Sequence, residues 1–369
     1  MTTNAREVLL VGSLPLQPAS AVYEAVTEHL GELVRRIPDG EQLGWVRAAF
    51  RAHQENPALE VSRQVPLDAQ GAHPINVFRL KNGRSAQDLT LGPYGYAKNA
   101  VESYAQFTRV RREGKIQAGT RLQVTLPGPG TSVSVIELPA AEILPLAQAA
   151  LVAELEHIVA SIPADDLTIQ LDVGMEAEHE EYLRRPEAFD APLHHVFHWT
   201  HEQMADAVAA VANRVPPEVE LGIHVCSIWH HDPDGGQDNA VLVDTANVLT
   251  QRITRPIAYI HMPIIPEHDV ADFAPLKQLR LQSATKLYLG LIHLSDGLEG
   301  AQRRMTAAQT AVSDFGVGFF CGLGALPAFT AAAQPVTGQT APATPPRIPR
   351  ATPDTIGEVL ELHRQVAQL

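Results

Sequence analysis

Eight short apolar runs, each bounded by turn residues, recur along the chain and alternate with segments of helical period. The runs are EVLLVGS, LVRRIPDG, RLQVTLPG, LTIQLDVG, VELGIHVC, PIAYIHMP, KLYLGLIHL and FGVGFFCG. Between most of them lie ASAVYEAVTEHLGELV, LPLAQAALVAELEHIVASI, HEQMADAVAAVANRV, NAVLVDTANVLTQRI and GAQRRMTAAQTAVSDF. Parallel strands need a long crossover, usually a helix, so this alternation predicts a parallel sheet. Eight such units predict an α/β fold closed as a TIM (β/α)8 barrel, its Val, Ile and Leu runs covered by helices outside and filled by side-chain layers inside. An open doubly wound sheet is the alternative. No GxGxxG or P-loop follows any run, which disfavours its usual nucleotide-binding forms.

The chain of 369 residues is read as a single barrel domain, residues 1–369. Two stretches break the rhythm. Residues at about 48–120 are too long for a simple βα loop and predict an insertion near one mouth of the barrel. Residues at about 327–353, rich in Pro, Ala and Thr, read as a linker or exposed loop. The segment TPDTIGEVLELHRQVAQL then predicts a helix packed back on the barrel, with Thr352 or Asp354 as N-cap.

A formal net charge of −14 argues against nucleic acid or an anionic membrane as partner, because those are held by clustered Lys and Arg. No uninterrupted apolar run reaches the roughly 20 residues that span a bilayer, and no cleavage-site pattern follows the brief apolar start. The expectation is a cytoplasmic protein with a small-molecule partner, compatible with a homodimer. Two cysteines make no disulfide framework, and a reducing compartment keeps both as thiols.

In a barrel of this kind chemistry belongs at the C-terminal ends of the strands. Polar residues gather at the ends of the runs: Ser13, Asp39-Gly40-Glu41, Asp172, His224 with Cys226, His261, His293 with Asp296 nearby, and Cys321. His224 and Cys226 are two apart on one predicted strand, so their side chains share a face. An HxC pair is a two-point chelate, and Cys321, the only other thiol, falls at the end of another predicted strand. Two thiolates and an imidazole suit Zn²⁺, which favours tetrahedral S and N ligands. His230, His231 and Asp232 follow on a loop, readable as a solvated polar segment or as support behind the metal's ligands, an alternative fourth ligand or a general acid. Asp39-Gly40 also reads as an ordinary turn, Asp172 and Asp296 as helix caps, and His293 as a core histidine.

The set GSLP at 12–15, DGE at 39–41, IQLD at 169–172, HVC at 224–226 and CGL at 321–323, in this order, resembles the catalytic barrel of cobalamin-independent methionine synthase. That family lies within the superfamily that includes uroporphyrinogen decarboxylase. The resemblance spans Gly12 to Leu323 and implies His224, Cys226 and Cys321 as ligands of a zinc ion that activates a thiol substrate. It implies Ser13, Glu41 and Asp172 as the residues that hold the amino-acid part of a thiol such as homocysteine. Two departures stand out. The family's fourth zinc ligand is a glutamate in an IET-like strand, where this sequence has His261 in AYIHMP; after Asp172 its Glu-Pro is replaced by Val173-Gly174. A second, N-terminal barrel is also missing. The resemblance therefore implies a stand-alone paralogue with a zinc cofactor, a small thiol and an alkyl donor, transferring an alkyl group, most simply methyl, as in methionine biosynthesis.

A free thiol with pKa near 8.5 is only about 3% ionised at neutral pH, whereas a zinc-coordinated thiol is deprotonated outright. Four ligands of His224, Cys226, Cys321 and His261 leave the zinc neutral overall, one unit less negative than a set with glutamate. His261 is then the ligand expected to move for substrate or to be absent from the set, and His293 and Asp296 are the candidate catalytic pair. Thiol addition to an epoxide-like electrophile on the same zinc, and a metal-free decarboxylase or lyase on the same barrel, are the alternatives. A zinc closed by four protein ligands and serving stability alone is the non-catalytic reading.

Overall fold

The computed structural model describes residues 5–66, 74–177, 198–226, 238–324 and 349–369. In chain order the strands are β1 (Val8–Leu9), β2 (Arg36–Pro38), β3 (Leu59–Pro66), β4 (Pro74–Leu80), β5 (Arg121–Pro127), β6 (Leu167–Val173), β7 (Glu220–Val225), β8 (Tyr259–Pro263), β9 (Lys286–Ile292) and β10 (Gly316–Phe319). β3 and β4 pair with each other as an antiparallel hairpin outside the main sheet. The other eight form one parallel sheet in the order β1-β10-β9-β8-β7-β6-β5-β2. Parallel bridges from Val8 to Val34 and from Ser13 to Gly40 join its two ends, so the sheet is nearly closed into a (β/α)8 barrel. All eight runs singled out in the sequence contain its strands.

The strands alternate more strictly than their composition suggests. In β6, Leu167, Ile169, Leu171 and Val173 join the core shared with the helices, while Thr168, Gln170 and Asp172 point the other way. The barrel interior is therefore largely polar, where apolar layers were expected. Tyr259 donates to Gln170 Oε1 at 2.7 Å, Gln170 Nε2 donates to Asp172 Oδ1 at 2.7 Å, and Gln123 Nε2 donates to the Val11 carbonyl at 2.7 Å. Each buried amide thus finds a partner across the axis, as burial of polar groups requires. Leu9, Tyr259 and Tyr288 form the small apolar cluster inside.

Helices Ala19–Leu30, Tyr96–Arg112, Ala140–Ser161, His201–Ala212, Asn239–Arg252 and Gly297–Gln309 surround the sheet. Helix Ile356–Ala367 closes the ring between the first and the last of these. Its N-cap is Thr355, in place of Thr352 or Asp354, because Thr352 instead receives the turn, its carbonyl accepting from Ile356 N at 3.0 Å. Within the segment at 48–120, helix Tyr96–Arg112 stands in the outer ring between its neighbours. The β3–β4 hairpin is laid along the chain that follows β5, with Phe78 N donating to the Val135 carbonyl at 2.7 Å. Ala140–Ser161 is the one described helix long and apolar enough to cross a membrane. Its Glu154, buried against the barrel, accepts from the amides of Tyr94, Gly95 and Ala97 at 2.6, 2.8 and 2.7 Å and so supplies the N-terminal carboxylate of helix Tyr96–Arg112.

Candidate metal centre at the C-terminal mouth

Asp172, His224 and His261 stand opposite one another across β6, β7 and β8, one register step per strand. His224 and His261 are fully buried and Asp172 nearly so. Two residues beyond His224, at the end of β7, Cys226 brings its Sγ to 3.8 Å from that of Cys321, 95 residues away at the end of β10. Ligand atoms of His224, Cys226 and Cys321 all lie within 4.8 Å of one another, a His/Cys/Cys group able to hold a metal ion. One ring nitrogen of His224 is taken by His261, Nδ1 to Nδ1 at 2.8 Å; the other, Nε2, is buried with no hydrogen-bond partner among the described residues. A buried donor atom left unpaired is costly unless something else takes it, and two thiols with an imidazole are the donor set of a zinc-type ion. The residues present therefore fit a metal.

Hydrogen bonding to Cys226 holds the Cys321 thiol well below the usual thiol range, with the nearby His224 adding to it and burial opposing. Such a depressed thiol is what metal ligation needs, since the ligand is the thiolate.

The three residues expected to hold substrate converge on the same place. The Ser13 hydroxyl hydrogen-bonds the Glu41 carboxyl, and both Glu41 and Asp172 feel the charge of Cys321 and, for Asp172, of Glu41. Burial first, then Cys321 and Asp39, push Glu41 up to about 8; burial first, then Glu41 and Cys321, push Asp172 well above the carboxylate range. Two glycines make the convergence possible. A side chain at Gly12 would collide with the Glu41 carboxyl, and one at Gly322 with the Ser13 hydroxyl. Glu41 itself has φ of 55°, a left-handed conformation that non-glycine residues rarely hold. Asp39 over-determines that turn: it accepts from Glu41 N at 2.8 Å, Asn99 Nδ2 at 2.6 Å and Ser103 Oγ at 2.8 Å. The DGE motif is therefore both turn and site, Asp39 building what Glu41 presents.

His261 is placed differently from a fourth ligand. Both its ring nitrogens are engaged, Nδ1 by His224 and Nε2 by the Phe319 carbonyl at 3.1 Å. Burial and His224 hold it well below the usual histidine range, so it is neutral. The proposed catalytic pair is also placed in framework contacts. His293 Nε2 lies 2.6 Å from the Ile264 carbonyl, and burial with the Arg304 charge takes its pKa down to about 3, so the ring is neutral and its one N–H is engaged by that carbonyl. Asp296 precedes helix Gly297–Gln309 but its carboxylate does not cap it; it binds the fully buried Arg304 at 2.6 and 2.9 Å. His230, His231 and Asp232 lie outside the described residues.

Sequence reasoning missed two residues. Arg350, at the end of the Pro-rich stretch, returns to the mouth, donates to the Gly322 carbonyl and sets its guanidinium 5.6 Å from the Phe320 ring centre. It is the cation that Glu41 and Cys321 feel, and nothing in PRIPRATP signals that return. Trp45, with φ of 49°, lines with Asp39, Glu41 and Thr125 a cavity of about 20 Å³, room for about one water molecule. Trp45 Nε1 and Thr125 Oγ1 are buried there without hydrogen-bond partners among the described residues. No protein-family model matches the chain, and no curated protein matches it.

Proposed function

We propose that the chain is a relative of the catalytic barrel of cobalamin-independent methionine synthase that transfers an alkyl group, most simply methyl, to a small thiol with zinc as its resident metal. The observation that carries this reading is the convergence of both cysteines with His224, directly beside Glu41 and Asp172. His224, Cys226 and Cys321 would hold the ion. Zinc, when bound, supplies the positive charge that keeps a thiol ionised at neutral pH.

The remaining chemistry belongs to the protein. Burial and neighbouring acidic groups hold Glu41 and Asp172 in their protonated forms; a substrate ammonium between them would favour ionisation and pair with the carboxylate formed, which favours an amino thiol over a neutral one. Arg350, exposed at the rim, is suited to a substrate carboxylate. Holding the thiol beside the alkyl donor is the larger contribution, because positioning supplies several kcal/mol while full ionisation of a thiol supplies roughly 2 kcal/mol. His293, being neutral and bonded to a carbonyl, orders the wall of the mouth next to Phe319 and Phe320. The carboxylates Glu41 and Asp172 also disfavour an anionic, polycarboxylate substrate of the decarboxylase kind.

The test is metal content by mass spectrometry followed by a thiol screen. Zinc near one per chain in the wild type, absent in Cys226→Ser and Cys321→Ser proteins, with a change in metal spectroscopy on adding homocysteine-like thiols, is the expected result. A native protein without metal would remove the reading.

A further inference from the structure

We propose that His261 is a positioning residue that fixes the tautomer of His224 and leaves His224 Nε2 as the bare nitrogen presented to a metal ion. This rests on reading His224, Cys226 and Cys321 as a metal site and deepens it. A backbone carbonyl only accepts, so the 3.1 Å contact from His261 Nε2 to the Phe319 carbonyl places a proton on that nitrogen. A neutral imidazole protonated at Nε2 has its lone pair at Nδ1. The 2.8 Å contact between the two Nδ1 atoms then has room for one proton, and His224 must donate it. A His224 ring that carries its one proton at Nδ1 has its lone pair at Nε2, the buried atom with no hydrogen-bond partner among the described residues.

The direction of the chain is thus set by its far end, where the peptide carbonyl admits only one polarity. Three strands take part: Phe319 on β10 orients His261 on β8, which orients His224 on β7. Both histidines are 0% exposed, so water does not compete for these bonds. Gly318 leaves the space, since a Cβ there would lie 3.3 Å from His261 Nε2. The arrangement does the work usually done by a carboxylate or carbonyl behind a metal-binding histidine, with a second imidazole inserted as the link. For His261 to become a ligand itself it would have to give up one of its two contacts, to His224 or to Phe319.

Metal-free protein titrated with Zn²⁺ and Co²⁺ tests this, using wild type, His261→Leu and His261→Gln. Glutamine retains an N–H for the Phe319 carbonyl and a carbonyl for His224 Nδ1–H; leucine retains neither. His261→Leu should weaken metal binding roughly 10- to 100-fold, His261→Gln should restore most of it, and the Co²⁺ absorption of all three should report the same donor set. Equal affinity in wild type and His261→Leu would overturn the inference, as would a Co²⁺ spectrum that loses a nitrogen ligand in both variants. Nitrogen-15 shifts of metal-free wild type need no variant to fold: a proton on His224 Nδ1 supports the inference, and one on Nε2 overturns it. A wild type that binds neither metal removes the metal reading itself, which the first titration reveals before any variant is compared.

Discussion

At the N-terminal mouth of the barrel charges are matched, whereas at the C-terminal mouth acidic groups crowd together. Arg36 reaches Glu220 at 3.2 Å, Arg121 shares that carboxylate at 3.5 Å, and Glu7 takes Lys286 at 3.5 Å and the Tyr288 hydroxyl at 2.7 Å. At the other end Glu41, Asp172 and Cys321 oppose one another, and Arg350 is the exposed cation that partly offsets them. The carboxylates respond in opposite directions. Burial raises Glu7, but Tyr288, Lys286 and Arg35 outweigh it and the net shift is downward; burial raises Glu41 and its neighbours raise it further. One mouth spends its polar groups on stability. The other holds them in a costly arrangement that a cation would relieve, which is the signature expected of a site.

The largest test of that division is the thiol pair. Cys226→Ser and Cys321→Ser should each lower thiol alkylation by roughly a thousandfold or more, since metal-assisted activation is worth several kcal/mol. Urea unfolding of the metal-free variants should stay close to that of metal-free wild type. Comparable losses of activity and metal-free stability would mean that the pair is framework. Next in size, Glu41→Gln and Asp172→Asn should raise KM for an amino thiol roughly tenfold to a hundredfold, the cost of losing a charged hydrogen bond, and leave kcat/KM for a thiol without an amino group nearly unchanged. A uniform loss with both thiols would break the assignment of these carboxylates to substrate.

What the sequence made legible follows from how local each signal is. Strands and outer helices were visible because burial on one face writes itself into the apolar pattern. His224 and Cys226 were visible because two-residue spacing on a strand fixes a shared face, and Cys321 because thiols are scarce. The polar interior was hidden: in LTIQLDV the alternate residues Thr168 and Gln170 are bracketed by large apolar neighbours, so the run looks continuous though it alternates. The place of His261 was hidden for a different reason. Its partner on one side is the backbone carbonyl of Phe319, which any residue at that position would offer. Arg350 depends on where a Pro-rich stretch returns, and Asp296 on Arg304 eight residues on, whose complete burial no local pattern announces.

The opposite carboxylate shifts also predict opposite pH responses. With Glu41 up at about 8, the folded protein keeps a proton that the unfolded chain releases above about 4.5. Native excess of bound protons makes stability fall as pH rises between those values, by up to about 1.4 kcal/mol per pH unit. Glu7, shifted downward, contributes stability above its ordinary value that is lost as pH falls. Thermal melts of metal-free protein should therefore show a decline toward pH 8 that Glu41→Gln makes shallower and Glu7→Gln does not, Asp172 keeping its own share. A decline of unchanged slope in Glu41→Gln would assign it to another group.

The smallest effect is expected at the matched mouth. Glu220→Gln removes the anion from Arg36, whose side chain is 8% exposed, but Glu220 is itself 29% exposed and water screens part of the loss. The amide can still accept from Thr168 Oγ1, which lies 2.8 Å from the carboxylate. The cost should be about 1 to 2 kcal/mol in urea unfolding, with kcat and KM unchanged, because Arg36 keeps its Tyr288 hydroxyl contact at 3.4 Å and its stacking over Tyr259 at 4.6 Å. The link upward runs from Tyr259 through Gln170 to Asp172. If Glu220→Gln raised KM for an amino thiol as far as Asp172→Asn does, that hydrogen-bonded column would couple the two mouths, and stability at one end could not be separated from chemistry at the other.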